Sequence, residues 1–244
     1  MNFLLKISLK MGLNLTKNYS INFSINKRKK NSIKFIIIHY TGMRSEIAAI
    51  KKLTENSNVS SHYFIKSDGN IINMVPELFE AWHAGKSYWR DFRLLNKYSI
   101  GIEIHNPGHD YGYKKFNSRQ IISLKKLLKY LIKKYKIKLN NILGHSDIAP
   151  NRKKDPGEKF PWRDLSKDNL CQWHRLDEKK IKELRYQKID NLKKDVFFKN
   201  LYKIGYGKYK KKYLIEAFQR RFRQGLINGK VDEECLLISK SLVK

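Results

Sequence analysis

An α/β fold, built on a mixed central β-sheet flanked by helices and followed by a small three-helix bundle, is the class that the order of apolar patterns predicts. Three observations carry that reading. Ile33 to His39 is a β-branched run of strand type, two short apolar runs bracket the turn Ser67-Asp68-Gly69-Asn70, and a long amphipathic pattern opens at Asn117. Strand patterns alternating with helical ones need helices to cover a sheet.

The elements follow in chain order. After the first strand, Ile47, Ile50 and Leu53 recur at helical spacing within Ser45 to Leu53. His62 to Lys66 and Ile71 to Val75 then read as a hairpin around a Gly-containing turn. Ile100 to His105 is a short strand ended by Pro107-Gly108. Asn117 with Gln120 three residues on has the form of a capping box, and Ile121, Leu124, Leu128, Leu131 and Tyr135 give that helix one apolar face. Trp173 to Asp195 reads as a charged, helical connector. Beyond it, Tyr213, Leu214, Ala217, Phe218 and Phe222 share a stripe, and Asp232 is placed to cap a last helix carrying Cys235, Leu236, Ile238 and Leu242.

Composition bounds the function. The 244 residues suffice for one large domain and a small one. A formal charge of +30 would attract a polyanion such as nucleic acid, an anionic membrane or an acidic wall polymer. That charge is spread: residues 187–244 hold 15 basic and 6 acidic side chains, so the excess is chain-wide. Only 12 of the 52 basic residues are Arg, and no nucleic-acid partner is expected. Cys171 and Cys235 are too few and too far apart for a disulfide framework or a zinc knuckle. No apolar stretch approaches the ~18–20 residues of a membrane span. In Met1 to Lys10 the lysines at 6 and 10 interrupt any export signal, and Met11 is an alternative start.

The chemistry rests on few residues. His39 ends the first strand, His145 follows Gly144, and Asp155 precedes Pro156-Gly157. Two imidazoles and a carboxylate from distant segments would make a three-ligand zinc site with its fourth position open, as a hydrolase needs, although each is an ordinary residue taken singly. His105 and His109 have the spacing of a helical metal clip, but Pro107-Gly108 forbids that helix. Glu103 sits between isoleucines on a buried-looking strand, which is costly unless paired or functional, and burial would raise its pKa toward that of a base. Lys153 would bring a cation beside an oxyanion. Tyr88 is, with Trp82, Trp89 and Arg152, a candidate to line a substrate groove.

These residues lie in segments that resemble the zinc-dependent N-acetylmuramoyl-L-alanine amidases, the amidase type 2 fold shared with peptidoglycan recognition proteins. The resemblance runs from about Asn18 to Trp162 through Ile37-Ile38-His39-Tyr40-Thr41, Val59-Ser60-Ser61-His62-Tyr63, Ala81-Trp82-His83-Ala84-Gly85, Ser99 to Ile104, Gly144 to Pro150 and Arg152 to Gly157. It implies that His39, His145 and Asp155 bind Zn2+, with Glu103 as general base and Lys153 stabilising the transition state. Tyr40, Trp82, His83, Trp89 and Arg152 are then expected at the substrate. The implied substrate is peptidoglycan or a muropeptide, cut between N-acetylmuramic acid, or its anhydro form, and L-alanine.

Ala217 to Arg223 with Ile227 to Asp232 resembles the three-helix peptidoglycan-binding domain that follows this catalytic domain in some members, the alternative being a bundle that only buttresses it. The expected organisation is an extension over 1–17, a catalytic domain over 18–170, a helical linker over 171–189 and the binding-like domain over 190–244. A monomer is expected. A cytoplasmic location is expected from the N-terminus, and an envelope (periplasmic) one from a wall-binding domain.

Overall fold

A computed structural model describes residues 15–55 and 57–243. The readings made on residues 1–14 lie outside it. Strands β1 (Leu15–Lys17), β2 (Phe23–Ser24) and β3 (Phe35–Tyr40) precede helix α1 (Glu46–Thr54), which Ser45 caps by accepting the Ala48 N–H. The hairpin is β4 (Tyr63–Ile65) with β5 (Ile71–Asn73), followed by the short strands β6 (Glu80–Ala81), β7 (Tyr88–Trp89) and β8 (Phe92–Arg93) and by β9 (Ser99–Ile104). Helix α2 (Ser118–Tyr135) opens on the expected capping box, with both Asn117 and Gln120 bonding across it. Next come β10 (Ile142–Gly144), the single turn α3 (His145–Ile148), α4 (Trp162–Lys167) and α5 (Glu178–Glu183). Last are α6 (Asn191–Ile204), α7 (Lys211–Phe222) and α8 (Glu233–Leu242), the three helices the C-terminal pattern predicts.

Three details depart from the sequence reading. The connector is not one helix, because Asp177 and Asp190 each accept N–H bonds from the turn that follows and so start new helices at α5 and α6. On α2 the buried stripe takes in Leu127 while Ile121 is only half-buried, since a 3.6-residue period drifts across the face. The strands β6, β7, β8 and β10 escaped notice because two or three residues carry no legible alternation.

The main sheet has the order β1-β5-β4-β9-β3-β10, parallel except for β4 against β5. Both faces of its centre are covered, so β3 reads as a continuous apolar run instead of an alternation. Ile36, Ile38, Ile100, Ile102 and Ile104 point to α2 and pack with Leu124, Leu127, Leu128 and Leu131. Phe35, Ile37 and Leu143 point the other way, into one core with Phe197, Leu201, Leu214 and Phe218 of the C-terminal helices. Helix layer, sheet and bundle are therefore stacked: the bundle closes the second face over β3 and β10, and α1 covers that face over β4 and β5 with Ala49 and Leu53 on Phe64 and Ile72. His39 follows Phe35 and Ile37 in the period-two alternation and so emerges on the bundle side.

Each fully buried large apolar side chain is worth about 1.5–3 kcal/mol, so a shared core of this size couples bundle and sheet in folding. Deleting residues 190–244 is expected to destroy cooperative thermal unfolding of the remainder, followed by circular dichroism. A truncated chain that melts as sharply and as high as the full one would contradict the shared core.

Candidate active site

Parallel strands bring chemistry to their carboxyl ends, where side chains run out of the sheet into a crevice. His39 and Glu103 are register partners near the ends of β3 and β9, and His145 is the first residue after β10, which pairs with β3. Asp155 is brought to them by a hydrogen bond from the Ser146 N–H to its carbonyl, 2.9 Å. The result is a triangle of buried donor atoms: His39 Nδ1 is 2.9 Å from His145 Nδ1 and 3.0 Å from Asp155 Oδ2, and His145 Nδ1 is 3.1 Å from that oxygen. One ion could be reached by all three at the bond lengths of about 2.0–2.2 Å that zinc takes.

The surroundings fix the imidazoles in the form a metal requires. His145 Nε2 lies 3.2 Å from the Ala84 carbonyl, to which it can only donate, leaving Nδ1 as an acceptor. For His39 a relay does the same: its Nε2–H donates to His83 Nδ1 (3.0 Å), His83 Nε2–H donates to Ser99 Oγ (3.1 Å), and Ser99 donates to the Leu95 carbonyl (2.6 Å). Such partners orient ligands and set their tautomer. Burial and then the neighbouring His145 push His39 down to about 4, so it is neutral at physiological pH. Burial opposes ionisation of Asp155, but when the rings carry protons at Nδ1 instead, charge and hydrogen bonds from His145 and then His39 outweigh it and hold the carboxyl well below the usual range, so the carboxylate attracts a cation, proton or metal, to this triangle.

Glu103 is half-buried, but its Oε2 is shut away from solvent and has no hydrogen-bond partner among the described residues. Burial first, and then the Asp155 charge, raise its pKa well above the ordinary value, against the pull of Lys153 and Lys52. It faces a cavity of about 440 Å³ whose wall also includes the three candidate ligands, Lys153 and Trp82. A desolvated carboxyl with a free oxygen at the mouth of a metal triangle is poised to take a proton. Lys153 leaves a turn in which the Ala149 carbonyl accepts the N–H groups of both Arg152 and Lys153 at 3.1 Å.

The remaining candidates divide. Tyr40, Trp82, His83 and Arg152 all border the cavity. Arg152 is largely committed to protein, since its Nη2 donates to the Ala84 and Lys86 carbonyls and thereby braces the loop that orients His145. Trp89 does not border the cavity. It is 2% exposed, meets the Tyr206 ring edge-on at 4.9 Å and lies against Gly205, so its size is spent on the contact between sheet and bundle. Tyr88 is likewise taken up by Gly207 and the bundle side. Sequence reasoning missed the rim: His109 joins the Tyr40 hydroxyl (2.8 Å) to Glu158 (3.1 Å), and Lys52 and Asp110 line the same cavity. It also missed the His83 relay, although Gly101 signalled it. A Cβ there would stand 2.4 Å from His83 Cγ, and a glycine inside a central strand marks such close approach.

A buried His-His-Asp triangle beside an unpaired carboxyl, at the carboxyl ends of an α/β sheet, defines a hydrolytic enzyme with a candidate metal centre. The N-acetylmuramoyl-L-alanine amidase family matches residues 29–158. N-acetylmuramoyl-L-alanine amidase AmiD of Escherichia coli (strain K12) is 34% identical, over 87% of this chain and 83% of that protein. The chain belongs to this amidase family. Its structure resembles that of E. coli AmiD in complex with the substrate anhydro-N-acetylmuramic acid-L-Ala-D-gamma-Glu-L-Lys, with a TM-score of 0.78, 32% identity and coverage of 90% and 91% of the two chains. The 1,6-anhydro-N-acetylmuramyl-L-alanine amidase AmpD of E. coli (strain K12) is 40% identical over 43% of this chain and 55% of its own, so the chain spans about half the length of that relative.

Two substitutions test this geometry. Gly101→Ala should displace His83 and loosen His39, lowering metal affinity by about 10–100-fold, the usual loss when a ligand's outer partner is removed; unchanged affinity by chelator competition would contradict the relay. For Glu103, a folded pKa above the unfolded one means a stability contribution present below the unfolded value of about 4.3 and lost as pH rises through the folded one. Glu103→Gln should therefore leave the melting temperature of metal-free protein nearly unchanged at pH 4 and raise it by roughly a few degrees at pH 7. A variant less stable at pH 7 would sink the assignment of a desolvated carboxyl.

Proposed function

We propose that His39, His145 and Asp155 hold one zinc ion, and that the chain uses it to hydrolyse the amide between N-acetylmuramic acid, or its anhydro form, and L-alanine in peptidoglycan or muropeptides. The observation that carries this is the donor triangle whose His39 is the register partner of Glu103 on the adjacent strand. When bound, zinc supplies a Lewis acid that polarises the scissile carbonyl and lowers the pKa of water toward about 7. Glu103 Oε2 accepts the proton of the attacking water and passes it to the leaving amide nitrogen. Lys153 offsets the negative charge that grows on the carbonyl oxygen. Tyr40 and Trp82 give the cavity an aromatic wall for a sugar face, and Lys52 and Lys153 give it cations for peptide carboxylates. A complete ligand set together with Glu103 speaks against a module that merely holds muropeptide.

A specific observation supports a wall-binding role for the bundle. Between α6, α7 and the turn at Gly229 lies a groove of about 480 Å³, lined by Ile189, Phe198 and Ile215 and by Lys188, Lys194, Lys211 and Lys230, whose charge exceeds that of the single carboxylate, Asp195, beside them. An apolar and cationic lining suits a polymer of sugars bearing carboxylate peptides, and a second attachment point raises local substrate concentration.

The purified protein should hold about one zinc ion, lose amidase activity on chelation and regain it with zinc. Glu103→Ala should keep the metal and lose on the order of 10²–10⁴-fold in rate, whereas His145→Ala should lose the metal. Full activity in a rigorously metal-free sample would overturn the mechanism. Reversing the charge at Lys194, Lys211 and Lys230 should lower cleavage of insoluble wall and leave a small soluble muropeptide unaffected; equal loss on both would remove the groove's role.

A further inference from the structure

The bundle reaches the metal site from behind. Asp147, two residues after the ligand His145, is 2% exposed and lies on α3, the single turn that leaves β10. Its Oδ2 accepts the Gly144 N–H at 2.8 Å and pairs with Arg221 Nη1 of α7 at 3.1 Å, and its Oδ1 accepts the Tyr206 hydroxyl at 2.9 Å. The second nitrogen of Arg221 donates to the Ile142 carbonyl at 3.0 Å, and the guanidinium carbon lies over the Trp162 ring, 3.5 Å from its centroid. Tyr209 adds a hydrogen bond to the Ile148 carbonyl, 3.2 Å. Three residues of the bundle thus grip the β10–α3 corner, which they hold at both ends. That corner also holds Asp155: Ser146 bonds its carbonyl, and a Cβ on Gly144 would stand 2.7 Å from Pro156 Cδ.

We propose that Arg221 and Tyr206 are positioning residues for the metal centre, through Asp147, fixing the segment that carries two of its three ligands. The inference rests on the reading of His39, His145 and Asp155 as zinc ligands. A buried ion pair is a poor device for stability alone, since an apolar pair of the same volume often does as well or better. What it does provide is direction: five polar contacts converge on one corner, and a buried one-turn helix gains a fixed orientation. The bundle would then be needed for the site whatever else it binds.

The full-length chain and its Tyr206→Phe, Arg221→Lys and Arg221→Met variants are compared by zinc affinity, in competition with a chromophoric chelator, and by thermal melting without metal. Tyr206→Phe removes one oxygen from a packed ring and decides the matter if Arg221→Met fails to fold. The expected result is zinc affinity at least 10-fold weaker in Tyr206→Phe and Arg221→Met, with partial recovery in Arg221→Lys, out of proportion to any change in the metal-free melting temperature. Variants that melt lower but bind zinc within twofold of the parent would overturn the proposal and leave a purely structural contact. A parent chain that binds no zinc would instead overturn the ligand assignment itself, and this inference with it.

Discussion

Three donor atoms pressed together away from water are the constraint on which the rest of the structure depends. Two imidazole nitrogens and a carboxylate oxygen, none more than 3.1 Å from the others, cannot all keep protons between them. The protein resolves this by binding the opposite nitrogen of each ring: Ala84 takes the His145 proton and His83 takes that of His39. Both acceptors belong to the segment Ala81 to Gly85, so one loop sets both tautomers. Arg152 in turn holds that loop by its carbonyls. The residues around the triangle thus serve its protonation state before they serve any substrate.

The same economy explains the layers. His39 emerges on the face of the sheet that the C-terminal helices cover, and His145 and Asp155 meet it there from the turn and loop beyond β10, so the apolar core of the bundle and the polar floor of the candidate site adjoin. Phe35 and Ile37 pack into the bundle four and two residues before His39 on the same strand face. Trp89, Tyr206 and Arg221 occupy the seam between them.

Sequence patterns revealed what is local and repeated. The β-branched run before His39, the capping box at Asn117 and Gln120, and Asp232 at the start of the last helix each declare themselves within a few residues, and each stands where its pattern puts it. Glu103 was legible as a misfit, a carboxylate among isoleucines. What was illegible depends on distant pairing. The three residues of β10 have no alternation to show and exist as a strand only against β3. Trp89 carries the same aromatic signal whether it lines a groove or fills a seam, and only Tyr206, more than a hundred positions on, decides between them. Asp147 reads as an ordinary helix-start acid until Arg221 is brought beside it.

The central claim is that two imidazoles and one carboxylate, with no sulfur, hold a single zinc ion. X-ray absorption at the zinc edge of the loaded protein tests it most directly. The account predicts a four-coordinate site of nitrogen and oxygen donors at about 2.0–2.2 Å, with outer-ring scattering from two imidazoles that falls to one in His39→Ala. Sulfur scattering near 2.3 Å, or an imidazole signal unchanged in His39→Ala, would contradict it.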